Sequence, residues 1–266
     1  MANILRDLNI WASRIRECRN PVLWGVALKY DLQRWRALKL ATGLPANTSA
    51  QYVREIEGDA DFISEVRAKM AQWTRYAPRA VDFVLLGSWG SVFFNEVTLY
   101  SIVRALKPEV VVETGGTPGK STAFILRAME RNGTGHLYTI DLPPQSVDQR
   151  ELSSRERWHD VLPAGAGSNW VVPASLRTRH TLLLGKSSEQ LPLLLAKLNR
   201  VNMFYYDSDH SYENMTWEFE TAWPKIKKGG VLISDDVLDN PSFFDFCRKA
   251  GLRQTNVFNL GAVAPK

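Results

Sequence analysis

The stretch Val110–Ile125, VVVETGGTPGKSTAFI, decides the fold. Three β-branched residues, Val110 to Val112, run into a Gly/Thr/Pro turn, and beyond it Ala123, Phe124, Leu126, Ala128 and Met129 recur at helical spacing. That order is strand, tight loop, helix. Such a loop leaves unpaired backbone N–H groups at a helix N-terminus, and its glycines let a ligand approach the main chain.

Working outward, the pattern Phe94–Leu106 is helical and stops ahead of Lys107-Pro108, because the residue before a proline is pushed out of helical geometry. Downstream, apolar runs predict strands over Val110–Glu113, His136–Ile140, His180–Leu184, Met203–Tyr206 and Val231–Ser234, alternating with helices. This rhythm predicts an α/β fold, Rossmann-like and doubly wound, with a mainly parallel sheet. Upstream, the pattern is helical: Leu5, Leu8, Trp11 and Ile15, then Leu32, Trp35 and Leu38, with a break at GLPANTS. The chain therefore divides into a helical amino-terminal extension, residues 1–80, and a main domain, residues 81–266. The segment Pro143–Arg179 is rich in Pro, Gly, Ser and charge, and its length suits a functional lid or a disordered stretch.

With 266 residues, 45% of them hydrophobic, the chain can bury a full core. The longest apolar stretches, PVLWGVAL and VDFVLLG, fall short of the roughly 20 residues of a membrane-crossing helix. Two cysteines far apart, Cys18 and Cys247, and no leader-like opening predict a reduced, cytoplasmic protein. The net charge of +5 is concentrated in residues 1–43, which carry eight basic and three acidic residues. No zinc-finger spacing or RNA-binding aromatic motif accompanies it, so nucleic acid is not expected as a partner. Trp11, Trp24 and Trp35 interleave with arginines there, which permits contact with an anionic membrane surface. Packing on the main domain or on a second copy of the chain, in a homo-oligomer, explains the same apolar positions equally well and is the favoured expectation.

Three ligands compete for the loop. A triphosphate loop, G-x-x-x-x-G-K-[ST], is suggested by Gly119-Lys120-Ser121, but its first glycine would fall on Thr114, and Gly115 comes one residue late. The dinucleotide fingerprint fails as well, since position 117 is threonine. What remains is Glu113-x-Gly115-x-x-x-Gly119-x-Ser121, followed by LYTIDL with Asp141 closing the next strand. A carboxylate there can grip a ribose diol. This pattern, over about residues 90–240, resembles the class I S-adenosylmethionine-dependent methyltransferases. The resemblance implies that the loop of Gly115 and Gly119, with Glu113 and Ser121, binds the methionine part of the cofactor. It further implies that Asp141 binds the ribose hydroxyls and that Ser187 or Ser188 of LGKSSEQLP lies near the adenine. The alternative for Glu113 and Asp141 is that both are solvated strand-end carboxylates.

A second constellation speaks to the reaction. MFYYDSDHSYE ends an apolar strand in Asp207, Asp209 and His210, and GGVLISDDV ends another in Asp235 and Asp236. Ligands of open parallel sheets bind beyond the carboxyl ends of the strands, so these acids are expected to share one mouth. Close carboxylates repel one another, and a cation keeps them ionised. Oxygen-only ligation by Asp207, Asp235 and Asp236 suits magnesium better than zinc. The competing reading makes Asp235 or Asp236 a helix cap and turns Asp209 to water. The same residues resemble the metal-dependent O-methyltransferase branch, the cephalosporin-biosynthesis type and macrolide sugar O-methyltransferases, and more distantly the catechol O-methyltransferases. That resemblance implies a metal at Asp207, Asp235 and Asp236 and a small-molecule hydroxyl acceptor, a sugar or another secondary metabolite. Of the four histidines, only His210 falls among these acids, which makes His210 and Asp207 the candidates to take the acceptor's proton. Two rivals stand beside this expectation: a P-loop-like phosphotransferase with Asp207 or Asp235 in a Walker-B role, and a non-catalytic S-adenosylmethionine-binding protein.

Overall fold

A computed structural model describes residues 33–76, 94–142 and 165–265. The chain enters through a helix over residues 33–42 (α1), then α2 (Ala46–Glu57), α3 (Ala60–Tyr76) and α4 (Phe94–Leu106). From there strands and helices alternate: β1 (Val110–Thr114), α5 (Lys120–Asn132), β2 (His136–Asp141), β3 (His180–Leu184), α6 (Ser187–Leu198), β4 (Val201–Tyr206), α7 (Tyr212–Ala222), β5 (Ile226–Ser234) and α8 (Ser242–Lys249). A hairpin of β6 (Gln254–Val257) and β7 (Leu260–Val263) follows. The seven strands form one sheet in the order β3-β2-β1-β4-β5-β7-β6, in which β7 alone runs against the rest. The doubly wound, mainly parallel sheet expected from the sequence is present.

Both faces of the sheet are covered, and the strand residues alternate between them. Val111, Leu137, Met203, Val231 and Ile233 point to a cluster with α4, α5 and the residues of α1 to α3 such as Leu38, Ile56 and Val66. Val112, Ile140, Phe204, Tyr206 and Leu232 point to a second cluster with α6, α7 and α8. Two buried faces explain why the strands read as continuous apolar runs rather than as polar–apolar alternation.

The carboxyl edge is extended by one rung of backbone hydrogen bonds. Gly115 N donates to Ile140 O, Asp207 N to Thr114 O, Asp235 N to Tyr206 O and Gly185 N to Asp141 O, all within 2.8 to 2.9 Å. Gly115, Asp207 and Asp235 are thereby fixed side by side at one mouth. The end of the Pro143–Arg179 segment packs there too: Val171 N donates to Pro118 O at 3.1 Å, and a short 3-10 helix, Ala174–Arg179, leads into β3. Residues 143–164, including His159, lie outside the described residues, as do Trp11 and Trp24. Among the described residues no helix is long and apolar enough to cross a membrane.

Candidate active site

The glycine loop is set by steric demands within the protein. Gly115 has a φ of +76°, and a Cβ there would lie 1.7 Å from the carbonyl oxygen of Asp207. Only glycine allows β1 and β4 to approach so closely at this point. Gly119, at φ +102°, opens α5, and a Cβ there would press on Asn169 at 2.9 Å.

Beneath the loop lies a buried carboxylate. Glu113 is fully enclosed and accepts hydrogen bonds from Ser121 Oγ, Thr122 Oγ1 and Thr139 Oγ1, each at 2.7 Å. Loss of solvent pushes its pKa up to about 7 against the pull of those hydroxyls. The reading of Glu113 as a solvated strand-end acid is therefore excluded. Glu113 and Ser121, expected among the cofactor contacts, support the loop from below, and their side chains are engaged with each other. Asp141, also buried, holds the loop from the β2 side: Oδ1 accepts from Gly116 N at 3.1 Å and Oδ2 from Thr117 Oγ1 at 2.5 Å. Ser187 and Ser188 open α6 beyond the end of β3, and the Ser187 hydroxyl reaches Glu218.

The second group of predicted residues meets at the ends of β4 and β5. His210 Nε2 lies 3.7 Å from Asp207 Oδ1 and 3.5 Å from Asp236 Oδ2. That nitrogen is shut off from water and makes no hydrogen bond. The imidazole is held edge-on to Tyr206, and its backbone carbonyl accepts from Asn240 Nδ2. Ser211, the next residue, caps α7 by accepting from Asn214 N, which explains why the chain turns at DSDHS. Asp209 is exposed and bonded to Ser211, away from the group.

Asp207 keeps a side-chain exposure of 30%, yet most of its surroundings are protein. Loss of solvent first, and then the charges of Asp235 and Asp236, raise its pKa well above the usual carboxylate range. Asp235 is raised to about 7, by burial first and then by the charge of Asp236. Asp236 adopts a left-handed φ of 50°, uncommon outside glycine, and Asn259 Nδ2 donates to its Oδ1 at 2.7 Å. Among the described residues, however, no three His, Cys, Asp or Glu side chains stand in metal-ligating geometry. The carboxylate oxygens face other partners: Asp235 Oδ1 accepts from Asn95 Nδ2 and Asp236 N at 2.9 Å, and the Tyr205 hydroxyl reaches Asp207 Oδ2 at 3.2 Å and Asp235 Oδ2 at 3.5 Å.

Four residues of this site lie outside the motifs that the sequence displays. Tyr205 reads as one more apolar strand residue, and Asn95 and Glu96 as ordinary first-turn residues of α4. Glu218 sits on the buried side of α7 between Met215 and Phe219, where it accepts from Thr114 Oγ1, Ser208 Oγ and Asn214 Nδ2. A carboxylate in the apolar stripe of a helix was the one legible hint.

The doubly wound sheet thus carries a glycine loop after β1, an acid closing β2 and a mouth at the strand ends. Residues 112–237 match a family model described as a methyltransferase domain. A comparison with curated proteins gives no match. Solved structures similar to the chain include an O-methyltransferase from Bacillus cereus in complex with SAH, at 14% identity over 64% of this chain and 80% of that one, with a TM-score of 0.43. The O-methyltransferase TomG from Streptomyces achromogenes, involved in tomaymycin synthesis, is 16% identical over 73% and 90%, with a TM-score of 0.45. The calicheamicin methyltransferase CalS11 is 16% identical over 76% and 91%, with a TM-score of 0.46.

Proposed function

We propose that this chain transfers the methyl group of S-adenosylmethionine to a hydroxyl oxygen of a small molecule, a sugar or another natural-product scaffold, at a mouth that also takes magnesium. The observation that carries the reading is the meeting of Asp207, His210, Asp235 and Asp236 beside the loop of Gly115. The loop from Gly115 to Gly119 faces the methionine part of the cofactor. Asp141 keeps lone pairs free for the ribose diol beyond those used by Gly116 and Thr117. Ser187 and Ser188 stand at the adenine end.

His210 receives the acceptor's proton. Its Nε2 has no hydrogen bond to give up, and once protonated it becomes an ion-pair partner for Asp207 and Asp236, which stabilises the product state. The acceptor oxygen attacks the sulfonium methyl carbon, the carbon–sulfur bond breaks, and S-adenosylhomocysteine leaves as a neutral thioether. Asp207, Asp235 and Asp236 offer only hard oxygen donors, and a divalent cation would offset the mutual repulsion that, after burial, raises Asp207 and Asp235. Bound magnesium would supply orientation of the hydroxyl and a lowered pKa for it. The phosphotransferase alternative fits less well, because the Lys120 ammonium pairs with Glu96 at 2.7 Å. A reduced, cytoplasmic homo-oligomer remains the setting we propose, in keeping with the buried free thiol of Cys247.

Mass spectrometry of candidate acceptors incubated with S-adenosylmethionine should show the gain of one CH2 group. His210→Ala should lose roughly 10²- to 10⁴-fold in rate, the usual worth of a general base, with S-adenosylhomocysteine affinity unchanged. Wild-type turnover in that variant would remove the histidine from the reaction. Full activity in excess chelator would remove the magnesium and leave methyl transfer standing.

A further inference from the structure

We propose that Asn169 is a positioning residue for the cofactor: its side-chain amide occupies room that Gly116 and Gly119 leave open and holds the glycine loop in its ligand-ready shape. The inference rests on the reading of that loop as the S-adenosylmethionine site. Asn169 belongs to the segment ahead of β3 and is fully buried. A Cβ on Gly116 would meet Thr139 Cγ2 at 2.4 Å and Asn169 Nδ2 at 2.8 Å, and a Cβ on Gly119 would lie 3.0 Å from Asn169 Oδ1. Unlike Gly115 and Gly119, Gly116 is not in a left-handed conformation, so what demands glycine there is space. Part of that space is taken by the amide.

Asn169 is fastened through its side chain and its backbone. Thr122 Oγ1, which also reaches Glu113, lies in the first turn of α5 and donates to Asn169 Oδ1 at 2.8 Å. The Asn169 carbonyl accepts from Arg177 Nη2 at 2.9 Å and from Val172 N at 3.1 Å, and Val172 O in turn accepts from Lys69 Nζ of α3 at 3.3 Å. The left-handed φ of 59° at Asn169 is one that asparagine tolerates better than most side chains. Asp141 holds Gly116 and Thr117 from β2, so the loop is gripped by two separate segments of chain. With three glycines in five residues, Gly115 to Gly119, a loop without that grip would spread over many conformations and lose their entropy on binding a ligand. Asn169 Nδ2 has no hydrogen-bond partner and is shut off from water, a rare and costly state for a buried donor. The amide is therefore kept for where it sits, not for the bonds it saturates.

Calorimetry of the full chain with S-adenosylhomocysteine, at a temperature where circular dichroism shows every variant folded, tests the assignment. Asn169→Gly keeps the left-handed backbone and its carbonyl bonds and removes only the amide. It should bind roughly two- to tenfold more weakly, the worth of one hydrogen bond. Thr122→Val should weaken binding by a similar factor, and the double variant should lose no more than the larger single loss, because both substitutions remove the same contact. An asparagine that only stabilises the fold would lower the melting temperature of Asn169→Gly and leave the affinity of the folded protein at the wild-type level, which would overturn the proposal. Full additivity of the two losses would overturn it as well. Should Asn169→Gly fail to fold, wild-type affinity in Thr122→Val would overturn it instead. Absence of S-adenosylhomocysteine binding by the wild type would remove the cofactor reading and this inference with it, whereas equal binding by the wild type and Asn169→Gly would remove the inference alone.

Discussion

Glu113 shows how much of the glycine loop rests on one fully enclosed side chain. Its carboxyl is protonated up to about 7 in the folded protein, against an ordinary 4.5, because burial outweighs the three hydroxyls that favour the charged form. The folded chain thus keeps a proton that the unfolded chain releases. The stability from this group is fully present below about pH 4.5 and is lost as pH rises through about 7, a change of about 3 kcal/mol. Glu113→Gln carries no such proton. Urea denaturation at about pH 5 and pH 8 should show wild type losing stability between them relative to the variant. A constant difference between the two proteins would mean that Glu113 is ionised throughout.

At the scale of elements, the junction of β1, the glycine loop and β4 is the tightest constraint on the site. Gly115→Ala would place a methyl group 1.7 Å from the Asp207 carbonyl oxygen, in a backbone region that alanine also disfavours. Either β4 must shift, which moves Asp207 and the chain leading to His210, or the loop must. The expected result is a lower melting temperature together with weakened S-adenosylhomocysteine binding, read by thermal shift with and without the ligand. A variant with wild-type behaviour in both would mean that the loop adapts freely. Elements of this kind were legible because their physics is local: α4 ends at Lys107-Pro108 as the proline demands, and the central strands announce themselves by apolar runs. The β6–β7 hairpin was not. β6 reads QTNV, polar and without alternation, and its two-residue turn puts Phe258 at φ +49°, where the expected signal is glycine or asparagine. The acids of the mouth could be found because each follows an apolar strand. Tyr205, Asn95 and Glu218 act through contacts across 30, 140 and 104 residues of chain, and no local pattern records those.

At the scale of the molecule, the boundary drawn at residue 80 separates segments that share a core. Ile56 of α2 and Val66 of α3 are both fully buried in the cluster that contains Val97, Leu99, Tyr100 and Val103 of α4 and reaches Val111 and Met203 in the sheet. Phe62 meets Phe124 of α5 edge-to-face at 5.0 Å. Polar contacts tie the same surfaces: Arg104 pairs with Glu55 at 2.6 Å, and Arg127 with Asp59 at 2.7 Å. These helices therefore cover the face of α4 and α5 that would otherwise be exposed, and α4 in turn carries Asn95 and Glu96 to the mouth. We propose that the described helices fold with the sheet as one cooperative unit. Ile56→Ala should cost about 2–5 kcal/mol, the range for a buried aliphatic truncation. The loss should appear equally by far-ultraviolet circular dichroism and by the fluorescence of Trp217 and Trp223, which pack on the opposite face of the sheet. Two separate transitions, with only the helical signal shifted, would instead make the extension a domain of its own.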